Sequence, residues 1–172
     1  VSLAGAVPFA PSFDCAGWFA RDPDVFQRVG RVLLADETPA RPVTRLLYLV
    51  DAFAMLEAGP LASLGQAVER VEARVAPVER IVLANEGLAA WSETFRTLQA
   101  AEIWQSMGGW LTEVEPQFGP GVKERFAAAR MVDPVRLDRA KAHRRTIVSR
   151  LNALLAPGTV RVLPTVPRGA PE

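Results

Sequence analysis

Cysteine and histidine are nearly absent from this sequence, since Cys15 and His143 are the only ones among its 172 residues. A lone thiol excludes an internal disulfide, and one thiol with one imidazole cannot assemble a zinc site of the usual Cys and His type. We therefore expect no metal site. A reducing, cytoplasmic setting fits this cysteine content best.

An excess of charge of either sign is also lacking, because 20 Lys and Arg residues balance 19 Asp and Glu residues for a formal net charge of +1. This balance provides no global attraction for nucleic acid or for an anionic membrane. The most apolar stretch, Leu46 to Leu56, is interrupted by Asp51 and is too short to span a bilayer. We expect neither nucleic acid nor a membrane as a partner.

Hydrophobic residues, in contrast, make up 49% of the chain, which is enough for the core of one globular domain. The chain starts at Val1 and ends in a proline-containing run directly after a strand-like segment. Both ends are typical of cuts through an ordered structure. We therefore expect residues 1–172 to be a single partial domain.

Apolar periodicity and capping residues predict the helices and strands. Asp22 followed by Pro23 supplies an N-cap oxygen and a preset first-turn angle, which predicts a helix to about Leu34. The continuous apolar run within Arg45 to Ala52 predicts a central strand buried on both faces. Similar reasoning predicts strands at 80–84 and 160–163, helices at 60–75, 86–110, 122–131 and 133–155, and loops at 38–42 and 115–121. Gly108-Gly109 is expected to end or bend the helix at 86–110.

The alternation of strands and helices predicts an α/β fold with a mixed, mostly parallel β-sheet covered by helices. Three strands are few for such a sheet, because a buried strand needs neighbours that satisfy its backbone groups. We therefore expect the fold to be present as a fragment.

One segment carries a specific family resemblance. Residues 7–22 read Val-Pro-Phe-Ala-Pro-Ser-Phe-Asp-Cys-Ala-Gly-Trp-Phe-Ala-Arg-Asp. This run resembles the Pro-x-Ser-x-Asp-Thr-x-Gly pattern of amidase signature enzymes, which precedes an Ala-Arg helix start, although Cys15 stands where Thr is usual. Phe13 and Trp18 are most similar to the acetamidase and indoleacetamide hydrolase members. The agreement covers Pro11, Ser12, Asp14, Gly17, Ala20, Arg21 and Asp22.

Two weaker matches follow in the family's order. They lie at 110–126, which contains Glu-Pro-Gln-Phe-Gly-Pro-Gly, and at 162–165 with Ala170-Pro171. The resemblance implies hydrolysis of a carboxamide to a carboxylate and ammonia by two serines and a lysine, without a metal or organic cofactor. In that family these groups precede the part that resembles Val1 onward, and this sequence contains neither Gly-Ser-Ser nor Gly-Gly-Ser. We therefore assign no catalytic residue and expect the chain alone to be inactive, as scaffold and part of a substrate pocket.

Individual residues allow further expectations. Trp104 and Trp110 are candidates to line a substrate pocket, although core packing is the ordinary use of such rings. Ser12, Asp14 and Gly17 are expected to be structural, with the Asp14 carboxylate accepting backbone amides and the Ser12 hydroxyl bonding to nearby backbone. A Cys15–His143 dyad is disfavoured because basic residues surround the histidine. The basic residues of the helix predicted at 133–155 are expected to form a solvated face. They are Arg136, Arg139, Lys141, Arg144, Arg145 and Arg150.

Two other functions stay open at this point. One is a non-catalytic remnant of an amidase that binds a partner through an exposed sheet edge or through the basic helix. The other is an amidotransferase A-type subunit, which shares the fold. For the amidase itself, the expected partner is a small-molecule amide, with a homodimer as the candidate assembly.

Overall fold

The computed structural model describes residues 4–34 and 42–168. Within these residues the chain forms two compact units, one from residues 4–34 and 95–140 and the other from residues 42–94 and 141–168. Most of the predicted loop at 38–42, and the predicted match at Ala170-Pro171, lie outside the described residues. The single partial domain stays a prediction.

The second unit contains a three-stranded sheet. Its strands are β1 Arg45–Leu49, β2 Val78–Ile81 and β3 Thr159–Val162, in the order β2-β1-β3, and both pairs are parallel. Leu46 is paired with Val78 on one side and with Val160 on the other. The α/β fold class is therefore confirmed, and so is the central position of β1, whose three leucines are at most 1% exposed.

Both β1 and β2 leave the sheet earlier than their apolar runs predict. A short helix, α2 Val50–Phe53, replaces the predicted end of β1. The segment after β2 does not continue the ladder either, because the Leu83 and Ala84 N–H groups donate to the Asp51 carboxylate, each at 2.9 Å. A side chain thus takes the place of backbone pairing.

Helices cover this sheet. Helix α3 Ala58–Glu72 begins two residues before the predicted start, while α4 Leu88–Val114 and α6 Pro134–Leu154 each contribute residues to both units. The core of the second unit consists of Leu47, Leu49, Ala52 and Leu83, with partly buried Leu88, Trp91, Leu151 and Leu154 packed against it.

The first unit is helical in its described residues. It contains α1 Pro23–Leu34, α5 Val122–Arg130 and the remainder of α4 and α6. The predicted helix starts are confirmed, since Asp22 accepts the Val25 N–H at 2.8 Å and Asp133 accepts the Arg136 N–H at 2.9 Å. Its core is formed by Ala10, Ile103 and Ala129, with Phe13, Ala100, Trp104 and Phe126 packed around it.

The predicted helix end at Gly108-Gly109 is wrong, because α4 runs on to Val114, and the alternative of a bend there stays a prediction. The buried Gly108 has a steric role instead. A Cβ at this position would lie 2.9 Å from the Trp104 ring, so glycine lets the indole lie against the helix. None of the helices in the described residues is long and apolar enough to cross a membrane.

Candidate functional site

The carboxyl ends of parallel strands are where α/β sheets usually place their ligands. At this edge, Asp51 is the second residue after β1, and its carboxylate accepts the Leu83 and Ala84 N–H groups shortly after β2. Charge-assisted hydrogen bonds of this kind are stronger than those between neutral groups. Asp51 therefore fixes the start of the segment between β2 and α4.

Arg150 holds the same segment from α6. Its Nη2 donates to Val82 O at 2.7 Å and to Asn85 Oδ1 at 3.2 Å, and its Nε donates to Leu83 O. The prediction that this arginine belongs to a solvated face is therefore wrong. The planar guanidinium places several donors on one turn of backbone, which a lysine could not do.

A hydrogen-bonded chain joins the β2–α4 segment to α6 beside this turn. Glu86 Oε1 accepts His143 Nε2 at 2.8 Å and the Trp91 indole N–H at 2.6 Å. His143 Nδ1 lies 2.7 Å from the hydroxyl of buried Thr94, which also donates to Ala90 O. The hydrogen bond from His143, with those from the Glu86 amide and Trp91, lowers the pKa of Glu86 from 4.5 to about 2.

Glu86, Trp91 and Arg150 border an open groove of about 690 Å³, which we call the sheet-edge groove. It offers one carboxylate, two guanidinium groups, hydroxyls and an indole, which suits a small polar ligand with an apolar part. Within the described residues, no group of three His, Cys, Asp or Glu side chains could hold a metal ion. The lining residues are Asn85, Glu86, Trp91, Arg145, Thr146, Ile147, Ser149, Arg150, Ala153 and Leu154.

The family-like segment forms a closed turn in the first unit. The Asp14 carboxylate accepts the Phe9 N–H at 2.9 Å and the Ala10 N–H at 3.0 Å, as expected of a structural carboxylate. Asp14 itself is exposed. The Ser12 N–H donates to Glu102 at 2.8 Å and its hydroxyl donates to the same carboxylate, a partner 90 residues away that the turn prediction did not include.

Gly17 and Cys15 are two further residues of the family-like segment. A Cβ at Gly17 would meet no atom within 4 Å, so the described structure gives no steric reason for glycine there. Cys15 is exposed, and its thiol lies 3.5 Å from Phe13 O. His143 is engaged by Glu86 and Thr94, which is a role other than the disfavoured dyad with Cys15.

The two candidate pocket tryptophans have different surroundings. Trp104 lines an open groove of about 420 Å³ between the end of α4 and α5. Trp110 is exposed and packs edge-on against Phe118, with ring centroids 6.4 Å apart. Trp110 does not belong to the lining of that groove. Substrate binding by either residue stays a prediction.

Three kinds of side chain at the sheet edge were not singled out as site residues from the sequence. Asp51 interrupts an apolar run, and this position directly after a predicted strand is the signal that could have indicated it. The signal for Glu86 was similar, since it follows the second strand. Nothing local indicated Arg150, because its partners lie 65 to 68 residues away.

Comparison with known proteins identifies several relatives. No family model matches this chain. The chain is 30% identical to Amidase 1 of Arabidopsis thaliana over 203 residues and 28% identical to Amidase 1 of Oryza sativa subsp. japonica over 205 residues. It is 26% identical to Translocon at the outer membrane of chloroplasts 64 of Pisum sativum over 199 residues. All of this chain is covered in each comparison.

The relatives are much longer than this chain. It spans 48% and 46% of the two Amidase 1 proteins and 33% of the translocon protein. The similarity along the whole chain indicates an amidase-type relationship.

Proposed function

We propose that this chain is the later part of an amide hydrolase of the amidase signature kind, most like its acetamidase and indoleacetamide hydrolase members. The reaction would convert a carboxamide and water into a carboxylate and ammonia. The observation that carries the proposal is the similarity to Amidase 1 along the whole chain. The Pro11–Asp14 turn supports it, because Asp14 of the family-like segment accepts the Ala10 N–H, as a structural carboxylate of that pattern would.

The chain would contribute scaffold and substrate contacts rather than the nucleophile. The two serines and the lysine of the family have no counterpart in the 172 residues, so we assign them to the remainder of the natural protein. The sheet-edge groove is the part of the scaffold that suits a small polar substrate, because hydrogen-bonding groups there converge beside an indole. A cytoplasmic setting, a small amide partner and a homodimer belong to the same proposal.

Ammonia release tests this function. The polypeptide encoded from the natural start codon to the natural stop codon would be compared with residues 1–172 on a panel of aliphatic and aromatic carboxamides. We expect turnover by the natural protein and none by the shorter chain. A natural protein that is folded but leaves the whole panel intact would overturn the proposal.

A second function is favoured by one comparison. Some relatives are named for a chloroplast outer-membrane translocon or for the outer envelope rather than as amidases. A non-catalytic module that binds a protein partner is the corresponding function for this chain. It predicts that the natural protein is folded, contains no Gly-Gly-Ser segment and releases no ammonia from the panel.

A further inference from the structure

A second groove lies wholly within the first unit and has a chemistry of its own. We call it the α4–α5 groove, and its volume is about 420 Å³. It is formed by the last part of α4, the loop at 115–118 and one face of α5. Its apolar walls are the half-buried rings of Trp104, Phe118 and Phe126.

Two of these rings pack against each other in the wall of the groove. The Phe118 and Phe126 centroids are 4.8 Å apart with an angle of 36° between their planes. Trp104 and Phe126 also pack against the buried residues of the unit's core, which fixes their positions. Aromatic pairs attract each other beyond the area that they bury, so a ligand ring placed here has a defined source of affinity.

Two cations line the same groove. The Arg130 guanidinium stands 5.8 Å from the centre of the Trp104 ring, a cation–π distance that keeps the charge beside the indole. Lys123 is the second cation, and both side chains are exposed. Within the described residues neither is held by a carboxylate in an ion pair. Their donors are therefore available to a ligand.

One carboxylate, Glu115, also lines the groove, and its negative charge offsets one of the two positive charges. The groove thus carries one more positive charge than negative, which favours a monoanion over a neutral or cationic ligand. Glu115 also has a φ of 46°, in the left-handed region that side chains other than glycine and asparagine seldom adopt.

We infer that the α4–α5 groove binds a small aromatic carboxylate, whose ring packs against Trp104 and Phe126 and whose carboxylate is held by Arg130 and Lys123. A guanidinium binds a carboxylate through two parallel hydrogen bonds, which supplies orientation as well as affinity. This inference does not rest on the proposed amide hydrolysis, since the groove would hold such a ligand in a non-catalytic module as well.

Binding would be measured on the natural protein by isothermal titration calorimetry with four probes. Phenylacetate has both the ring and the charge, 2-phenylethanol has the ring without a charge or an amide bond, cyclohexylacetate has a carboxylate on a non-aromatic ring, and acetate has only the charge. We expect phenylacetate to bind at least about tenfold more tightly than each of the others, because both parts of the groove are needed. Equal affinities for phenylacetate and acetate, or no binding at all, would overturn the inference.

Variants on one helix locate the site. Arg130→Met and Lys123→Met keep most of the aliphatic stem and remove the charge, so each should weaken phenylacetate binding about tenfold and leave 2-phenylethanol binding unaffected. Arg125→Met is the matched control, since Arg125 is an exposed α5 residue outside the groove. Phenylacetate binding that is the same in Arg130→Met and in the unchanged protein would place the ligand elsewhere and refute the assignment.

A change that should improve binding gives the sharpest test. Glu115→Gln removes the opposing carboxylate at nearly constant volume, and we expect about two- to fivefold tighter phenylacetate binding at low salt. This gain should shrink as salt is added, because exposed charges are screened. A loss of affinity in a Glu115→Gln variant with an unchanged circular dichroism spectrum would contradict the charge arrangement.

Discussion

Removal of the Asp51 carboxylate should release the segment that follows β2. The carboxylate accepts the Leu83 and Ala84 N–H groups at 2.9 Å each, and both of these residues are buried. Hydrogen bonds to a charged group contribute about 1.5 to 3 kcal/mol each, so two of them amount to about 3 to 6 kcal/mol. Because Asp51 is half-buried, water can replace part of these two hydrogen bonds in the variant. We therefore expect Asp51→Ala to lower the free energy of opening this segment by about 3 kcal/mol.

Amide hydrogen exchange measured by NMR reports on these two bonds directly. A loss of about 3 kcal/mol corresponds to roughly a hundredfold faster exchange of the Leu83 and Ala84 amides. Asp51→Asn keeps one acceptor oxygen and should give an intermediate rate. Glu69→Ala, at an exposed position of α3, is the control and should leave both rates unchanged. Wild-type protection of both amides in Asp51→Ala would refute the reasoning.

Three further predictions concern the sheet and its edge. Leu47→Ala removes a fully buried side chain from the central strand and should lower the free energy of urea unfolding by about 2 to 5 kcal/mol. Gly158→Ala should also destabilise, because its φ is 80° and a Cβ would lie 2.6 Å from Thr44 Oγ1, with a lower melting temperature as the readout. Glu86 has a folded pKa of about 2 against 4.5, so its stabilisation is present above pH 4.5 and is lost as the pH falls towards 2. The difference in urea midpoint between wild type and Glu86→Gln should therefore shrink over that range.

The elements that sequence reasoning predicted are those whose causes lie within a few residues. Asp22 and Asp133 each cap a helix through an amide three residues ahead, so each start could be recognised locally. The apolar run at β1 likewise indicated a buried central strand before its neighbours were known. The fold class followed from the order of such elements.

The features that sequence reasoning missed depend on distant partners. Arg150 contacts backbone more than sixty residues away, and Ser12 contacts Glu102 across 90 residues, so neither pairing has a local signal. The helix end predicted at Gly108 was wrong for the same reason. A glycine at this position is explained by the Trp104 ring, which packs against the helix there. Tertiary contacts, which periodicity does not contain, decide these details.

The most direct test of the account is the location of the nucleophile. The natural protein would be treated with a fluorophosphonate, which labels activated serines, and the adduct would be located by peptide mass spectrometry alongside the ammonia assay. We predict loss of ammonia release together with one labelled serine outside residues 1–172. An adduct on Ser12 or on any other residue of this chain, with activity lost in proportion, would contradict the assignment of these residues to scaffold.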